Sequence, residues 1–131
     1  MLRAVDIAEE LDKLVMLEGR SNETTPEEED AAFATLAAYR DGGVFAGSFS
    51  GESPWERHRN GDELVHVLRG STALTIMTET GPEVFALTEG MIIIVPQGHW
   101  HKFKSDEGVT VMTVTPQPTD HTTADDPCTV I

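Results

Sequence analysis

Residues 53–70 read SPWERHRNGDELVHVLRG. Asn60-Gly61 is the strongest short hairpin signal a sequence can carry. Alternating apolar residues follow it at Val65 and Val67. A two-residue turn there predicts that Arg59 faces Asp62 and that His58 faces Glu63, as opposed partners with Cβ atoms roughly 4.5–5.5 Å apart. Alternation adds Glu56 to the face of His58, and Val65 and Val67 to the face of Glu63. The valines mark that face as interior. Glu56, His58 and Glu63 then point into an apolar core. Buried ionisable groups are costly unless something pairs them, and a metal ion would do so.

About forty residues on, GMIIIVPQGHWHKF (90–103) supplies the next histidines. Gly98 releases the chain from a proline turn, and His99 and His101 share a strand face with Phe103. Two readings are open for His99: a structural residue, or one at the barrel mouth within reach of a ligand. Met91 to Val95 is apolar on both faces, as in a strand covered on both sides. With Leu64, His66 and Leu68 it motivates a homodimer.

The rest of the chain reads as a β shell. Strands are predicted at 44–50, 55–59, 63–68, 73–78, 84–87, 91–95, 99–103 and 109–115. Turn signals separate them, among them Arg69-Gly70-Ser71 and Asp106-Glu107-Gly108. Many short strands at this spacing argue for a sandwich or barrel. Upstream, Asp6 to Leu14 has helical spacing with Asp6 as cap, and Leu14 to Leu17 reads as a first strand. Thr25-Pro26-Glu27-Glu28 has the form of a capping box. Phe33 to Tyr39 fits either a continued helix, being alanine-rich, or the first arm of a hairpin turned at Arg40–Gly43. The hairpin is the preferred reading. The tail from Pro116 is a docked arm or a disordered end, and His121 and Cys128 in it have no catalytic context.

The chain has 131 residues, 39% of them hydrophobic and 24% charged. That predicts one globular domain spanning 1–131, with a core over about 33–115, an N-terminal arm over 1–32 and a tail over 116–131. A formal net charge of −14 disfavours nucleic acid and anionic membrane as partners. No apolar run approaches the ~20 residues of a membrane helix, and the N-terminus shows no signal-peptide pattern. One cysteine fits a reducing, cytoplasmic compartment.

These residues resemble the cupin superfamily. Its first motif, commonly G…HxH…E…G, appears as Gly51…Glu56-x-His58…Glu63…Gly70. Its second, G-x5-P-x-G-x2-H-x3-N, is matched at Gly90, Pro96, Gly98 and His101, with Ser105 where asparagine is usual. The chain is similar to small single-domain bacterial cupins that carry WExH in place of HxH. The resemblance implies an all-β double-stranded β-helix, a jelly-roll barrel, with one or two short N-terminal helices. It implies a divalent metal ion (Fe, Mn, Ni or Zn) on His58, Glu63 and His101. Glu56 stands where the family's first histidine would be, and two readings are open for it: a fourth ligand, or a general base held off the metal. The functions implied are a metal-binding cupin acting on a small organic molecule, with dioxygenase, isomerase or lyase chemistry, or a non-catalytic small-molecule binding or sensing cupin. A metal-free barrel using the same residues as acid and base is the third.

Overall fold

The structure is a computed structural model and describes residues 2–129; Met1, Val130 and Ile131, the ends of the expected arm and tail, lie outside it. The chain opens with helix α1 (Ile7–Asp12), capped by Asp6, whose carboxylate accepts from the Glu9 amide at 3.2 Å. Strand β1 (Leu17–Arg20) follows, starting later than the residue spacing suggested. Helix α2 (Pro26–Ala32) begins at the anticipated capping box. Thr25 accepts from the Glu28 amide at 3.2 Å, and Glu28 reaches back to the Thr25 amide at 3.0 Å.

At Phe33 the backbone turns extended (φ −123°, ψ 139°) and the helix stops. Strand β2 (Phe33–Tyr39) then pairs antiparallel with β3 (Gly42–Glu52), in register from Phe33 with Gly47 to Tyr39 with Gly42. The alanines of β2 are therefore in a sheet. Ladder pairing outweighs their helix propensity, which amounts to a few tenths of a kcal/mol per residue.

The remaining strands are β4 (Trp55–His58), β5 (Glu63–Thr78), β6 (Gly81–Thr88), β7 (Ile92–Val95), β8 (His101–Pro116) and β9 (Thr119–Thr122). They form one nine-stranded sheet, along which β1, β3, β8, β4 and β9 are successive neighbours. β2 joins it through β3, β5 through β8, and β6 and β7 through β5. Two expectations about this sheet fail. Arg69-Gly70-Ser71 and Asp106-Glu107-Gly108 do not reverse the chain, so β5 and β8 are each one 16-residue strand where two short ones were expected. Gly70 (φ +77°) and Gly108 (φ +117°) instead bend the strands, and the register slips between Gly70 and Ala73. A Cβ on Gly70 would overlap the carbonyl of Gly108. The pair is a corner where two backbones meet, a use of strand glycine that local sequence does not separate from a turn.

The second failure concerns the opening stretch. Asn60-Gly61 is a turn, but the strands it joins do not pair. β4 pairs with β8, Glu56 against His101, and with β9, whereas β5 pairs with β6, β7 and β8. The turn carries the chain from one part of the sheet to another, so His58 and Glu63 meet across the interior rather than along a ladder. Nor does Arg59 pair with Asp62. Asp62 accepts from the Gln97 amide at 2.8 Å, while the Gln97 side chain donates to the Arg59 carbonyl at 2.7 Å and the Gly98 amide to the His58 carbonyl at 2.9 Å. These bonds tie the turn after His58 to the proline turn before His101.

The interior face follows the alternation. Glu63, Val65 and Val67 are buried on β5, and Leu64, His66 and Leu68 sit half-buried on its outer face. Leu17, Ala32, Phe49, Leu74, Ile76, Leu87, Val95, Phe103, Val109 and Val111 complete the core. Trp55 and Trp100 are buried packing residues, covered by Lys102 and Arg57 at 5.0 and 4.4 Å from their rings. The outer face of β7 is bare, with Ile92 59% and Ile94 47% exposed. Among the described residues the strand is covered on one side only. The tail is a docked arm through β9. Among the described residues no helix is long and apolar enough to cross a membrane.

Candidate metal centre

Four strands converge on one buried cluster. β4 supplies Glu56 and His58, β5 supplies Glu63, β8 supplies His101, and β9 lies against β4 with Thr119 opposite His58 and His121 opposite Glu56. His101, Glu56 and His121 therefore sit side by side across β8, β4 and β9, on one face of the sheet. His58 and His101 have ring centroids 5.1 Å apart. Glu63 stands between them. Its Oε1 is 3.1 Å from His101 Nε2, and its Oε2 is 3.4 Å from His58 Nε2.

The hydrogen bonds around the two imidazoles are asymmetric. His101 Nδ1 is 3.1 Å from the His99 carbonyl, which only accepts, so Nδ1 carries the proton. His58 Nδ1 lies 3.0 Å from Thr119 Oγ1. Glu63 Oε2 accepts from the Thr115 hydroxyl, at 2.6 Å, and Thr115 Oγ1 is 2.8 Å from Thr113 Oγ1. Among the described residues three buried side-chain atoms are left with no hydrogen-bond partner: His58 Nε2, His101 Nε2 and Glu63 Oε1. Native interiors leave few such groups. Here three orphaned atoms face one another, and two imidazole nitrogens with carboxylate oxygens are a donor set suited to Fe, Mn, Ni or Zn. The residues present fit a divalent cation.

Two carboxylates flank the histidine pair in different ways. Glu56, His58 and His101 each offer a ligand atom within 4.8 Å of the others. Glu63 is the more buried carboxylate and the one in direct contact with both histidines. Burial by itself pushes the Glu63 carboxyl up, but the imidazoles of His101 and His58 outweigh it and hold the value down at about 2. Burial likewise pulls the His101 imidazole down, and the Glu63 carboxylate beside it outweighs that and raises it. Each group thus favours the charged form of the other.

The cluster opens on a cavity of about 440 Å³. Phe33, Phe45, Phe49 and Phe103 form its apolar wall. Arg20, from β1, also lines it and is only 9% exposed. It is bonded twice to Glu29 at 2.8 and 3.1 Å, stacked 5.1 and 4.9 Å from the rings of Phe33 and Phe49, and 3.7 Å from Glu56 Oε1.

Sequence reading missed Arg20, Thr113, Thr115 and Thr119, and dismissed His121, which lines the cavity. These are lone polar residues on arms or strand ends, with no spacing to single them out. His99 does not share the face of His101, because β8 begins only at His101, and its Nδ1 is 2.9 Å from the Met77 carbonyl. Ser105 is buried away from the cluster and bonds Ser71 and Gly108 at the glycine corner.

No curated protein matches the chain. Among solved structures it is similar to a conserved protein of unknown function from Streptococcus pyogenes, with 20% identity over 90% of each chain and a TM-score of 0.59. It is also similar to a hydroquinone 1,2-dioxygenase in complex with Cd2+ and 4-hydroxybenzonitrile, at 16% identity over 64% of this chain and 63% of that one, with a TM-score of 0.55. Oxalate decarboxylase from Lactobacillus farciminis matches at 14% identity and a TM-score of 0.54, over 60% of this chain but only 26% of the decarboxylase. At these identities the likeness is one of fold. A family model described as "Cupin domain" matches residues 49–115, just over half of the sequence and the stretch that holds Glu56, His58, Glu63 and His101. The chain belongs to the cupin family.

Proposed function

We propose that this cupin binds a divalent metal ion through His58, Glu63 and His101, with Glu56 as fourth donor or proton carrier, and acts on a small organic molecule in the cavity. The observation that carries the reading is the trio of buried, unpartnered atoms: His58 Nε2, Glu63 Oε1 and His101 Nε2. A bound cation would supply Lewis acidity to substrate oxygens. The protein's own residues do the rest. His101 keeps its Nδ1 proton on the His99 carbonyl, and His58 is held at Nδ1 by the Thr119 hydroxyl. Thr115 holds Glu63 in place. The phenylalanine wall takes an apolar body and excludes water. Glu56, half-buried beside Arg20, takes or returns a proton at its carboxylate if it stays off the metal. The chemistry that suits such a centre is of dioxygenase, isomerase or lyase type, and the relatives that bind 4-hydroxybenzonitrile or are named for oxalate support a small-molecule ligand.

Metal analysis of protein purified without a histidine tag tests this. One equivalent of metal, lost in His101→Ala, is expected. A folded, metal-free protein that also fails to take up Co2+, Mn2+, Ni2+, Zn2+ or Fe2+ would sink it. Turnover that survives chelation but not Glu56→Gln would instead establish the metal-free acid–base barrel. We propose further that the bare face of β7, with Met91, Ile92 and Ile94, is covered in a homodimer. Sedimentation of a stable monomer at micromolar concentration would exclude that.

A further inference from the structure

The two histidines of the cluster hold their outer nitrogens in different ways. His101 uses a main-chain carbonyl two residues away. His58 uses a side chain 61 residues away, Thr119 on β9, outside the segment that matches the family. The Thr119 hydroxyl has one proton, and it donates that proton to Gln117 Oε1 at 3.2 Å. Toward His58 it can then only accept. We infer that the C-terminal arm is a working part of the metal site: Thr119, backed by Gln117, fixes the proton of His58 on Nδ1 and holds Nε2 as a bare lone pair facing Glu63.

The arm is placed for this by its register. Thr119 lies opposite His58, Asp120 opposite Arg57 and His121 opposite Glu56. Alternation turns Thr119 and His121 toward the cavity and Asp120 away from it. On that outer side Asp120 bonds Arg57 at 3.1 Å and Arg59 at 2.6 Å, while Asn60 donates to the Gln117 carbonyl at 2.7 Å. The arm is thus latched on one face and reaches a ligand on the other. An outer hydrogen bond of this kind sets the tautomer and aim of a metal-binding imidazole. Because the acceptor is a side chain on a separate arm, the affinity of the site can be tuned without changing any ligand. Thr119 is a positioning residue, since it acts only through His58.

This inference rests on the proposed metal binding, and its test separates the two. Full-length protein without a histidine tag is compared with Thr119→Val and Thr119→Ser. Two readouts are taken: the Kd for Co2+ by competition with a chromophoric chelator, and the imidazole tautomers of the metal-free protein by long-range 15N–1H correlation. Wild type should show neutral His58 as the Nδ1–H form. Thr119→Val should mix the tautomers and weaken Co2+ binding by about 10–100-fold, while Thr119→Ser should stay within about threefold of wild type. A role in packing alone would leave the tautomer unmoved. The inference is overturned if Thr119→Val leaves the His58 tautomer unchanged, or if Thr119→Ser loses as much affinity as Thr119→Val. If wild type binds no Co2+, the metal reading fails and the tautomer readout alone decides the role of Thr119. Should Thr119→Val not fold, Gln117→Met removes only the acceptor behind Thr119, and an unmixed His58 tautomer there overturns the inference equally.

Discussion

At the Gly70–Gly108 corner, buried hydroxyls have partners. Ser105 donates to the Ser71 carbonyl at 2.7 Å and accepts from the Gly108 amide at 3.0 Å, and Thr72 donates to the Lys104 carbonyl at 3.0 Å. At the histidine cluster, three buried atoms have none. The same two long strands, β5 and β8, run through both places. One end is satisfied by the fold itself. The other keeps polar atoms whose partner the chain does not supply. A protein breaks the rule of polar satisfaction where something else is meant to bind.

The corner should be the more fragile end to a change in shape. Gly70→Val places a Cβ on the Gly108 carbonyl and a side chain at φ +77°. A loss of about 3 kcal/mol or more is expected, from left-handed strain and overpacking together. Urea unfolding measures it, and a near-neutral result would mean that the two backbones part easily.

The cluster should be the end that responds to pH. The folded value of Glu63, about 2, lies below its ordinary 4.5, so its stabilising contribution is present above pH 4.5 and is lost as pH falls toward 2. His101 is raised above 6.5, so its contribution is complete below pH 6.5 and is lost as pH rises through the folded value. Metal-free protein should therefore gain most from this pair between about pH 4.5 and 6.5. On the acid side the loss should be on the order of 3 kcal/mol and absent from Glu63→Gln. Denaturant midpoints across pH, with chelator present, check this. Equal acid sensitivity in Glu63→Gln would remove Glu63 as the cause.

If the cluster serves binding rather than folding, removing it whole should not harm the fold. The triple variant His58→Leu, Glu63→Leu, His101→Leu should be more stable than metal-free wild type at neutral pH by about 1–4 kcal/mol, as when a buried ion pair is replaced by apolar groups. It should bind no Co2+. A less stable triple variant would mean that the cluster holds the barrel together.

The smallest effect belongs to the outer latch. Asp120 is half-buried, and the bonds from Arg59 and Arg57 keep its carboxyl below the usual range. Its contribution is present above the ordinary aspartate value and lost only as pH falls through the lowered one. Asp120→Asn should leave the corner untouched and speed hydrogen exchange in β9 by roughly threefold. Exchange as slow as in wild type would show that the backbone pairing of β9 with β4 suffices.

How much of this could be read from the sequence depends on range. Alternation along Glu63–Val67 revealed the interior face, the capping box revealed α2, and motif spacing singled out His58, Glu63 and His101. These are local patterns, fixed by period and turn chemistry. Pairing was not legible. Asn60-Gly61 reads as a hairpin because the turn is local, but which strand lies beside β4 is decided by residues 101–122. Gly70 and Gly108 read as turns because a bend needs the same residue as a reversal. Arg20, Thr115 and Thr119 were invisible because each matters only through a contact made far along the chain.

That range has a consequence for how the protein is made. Glu63 acquires its hydroxyl donor from Thr115, His58 its acceptor from Thr119, and Glu56 its cation from Arg20, 36 positions before it. A chain still emerging from the ribosome holds both histidines and both carboxylates before it holds Thr115 and Thr119. The centre becomes whole only when synthesis has passed Thr119. Any ion bound as proposed would then be chosen after synthesis, by the metals on offer to the finished chain.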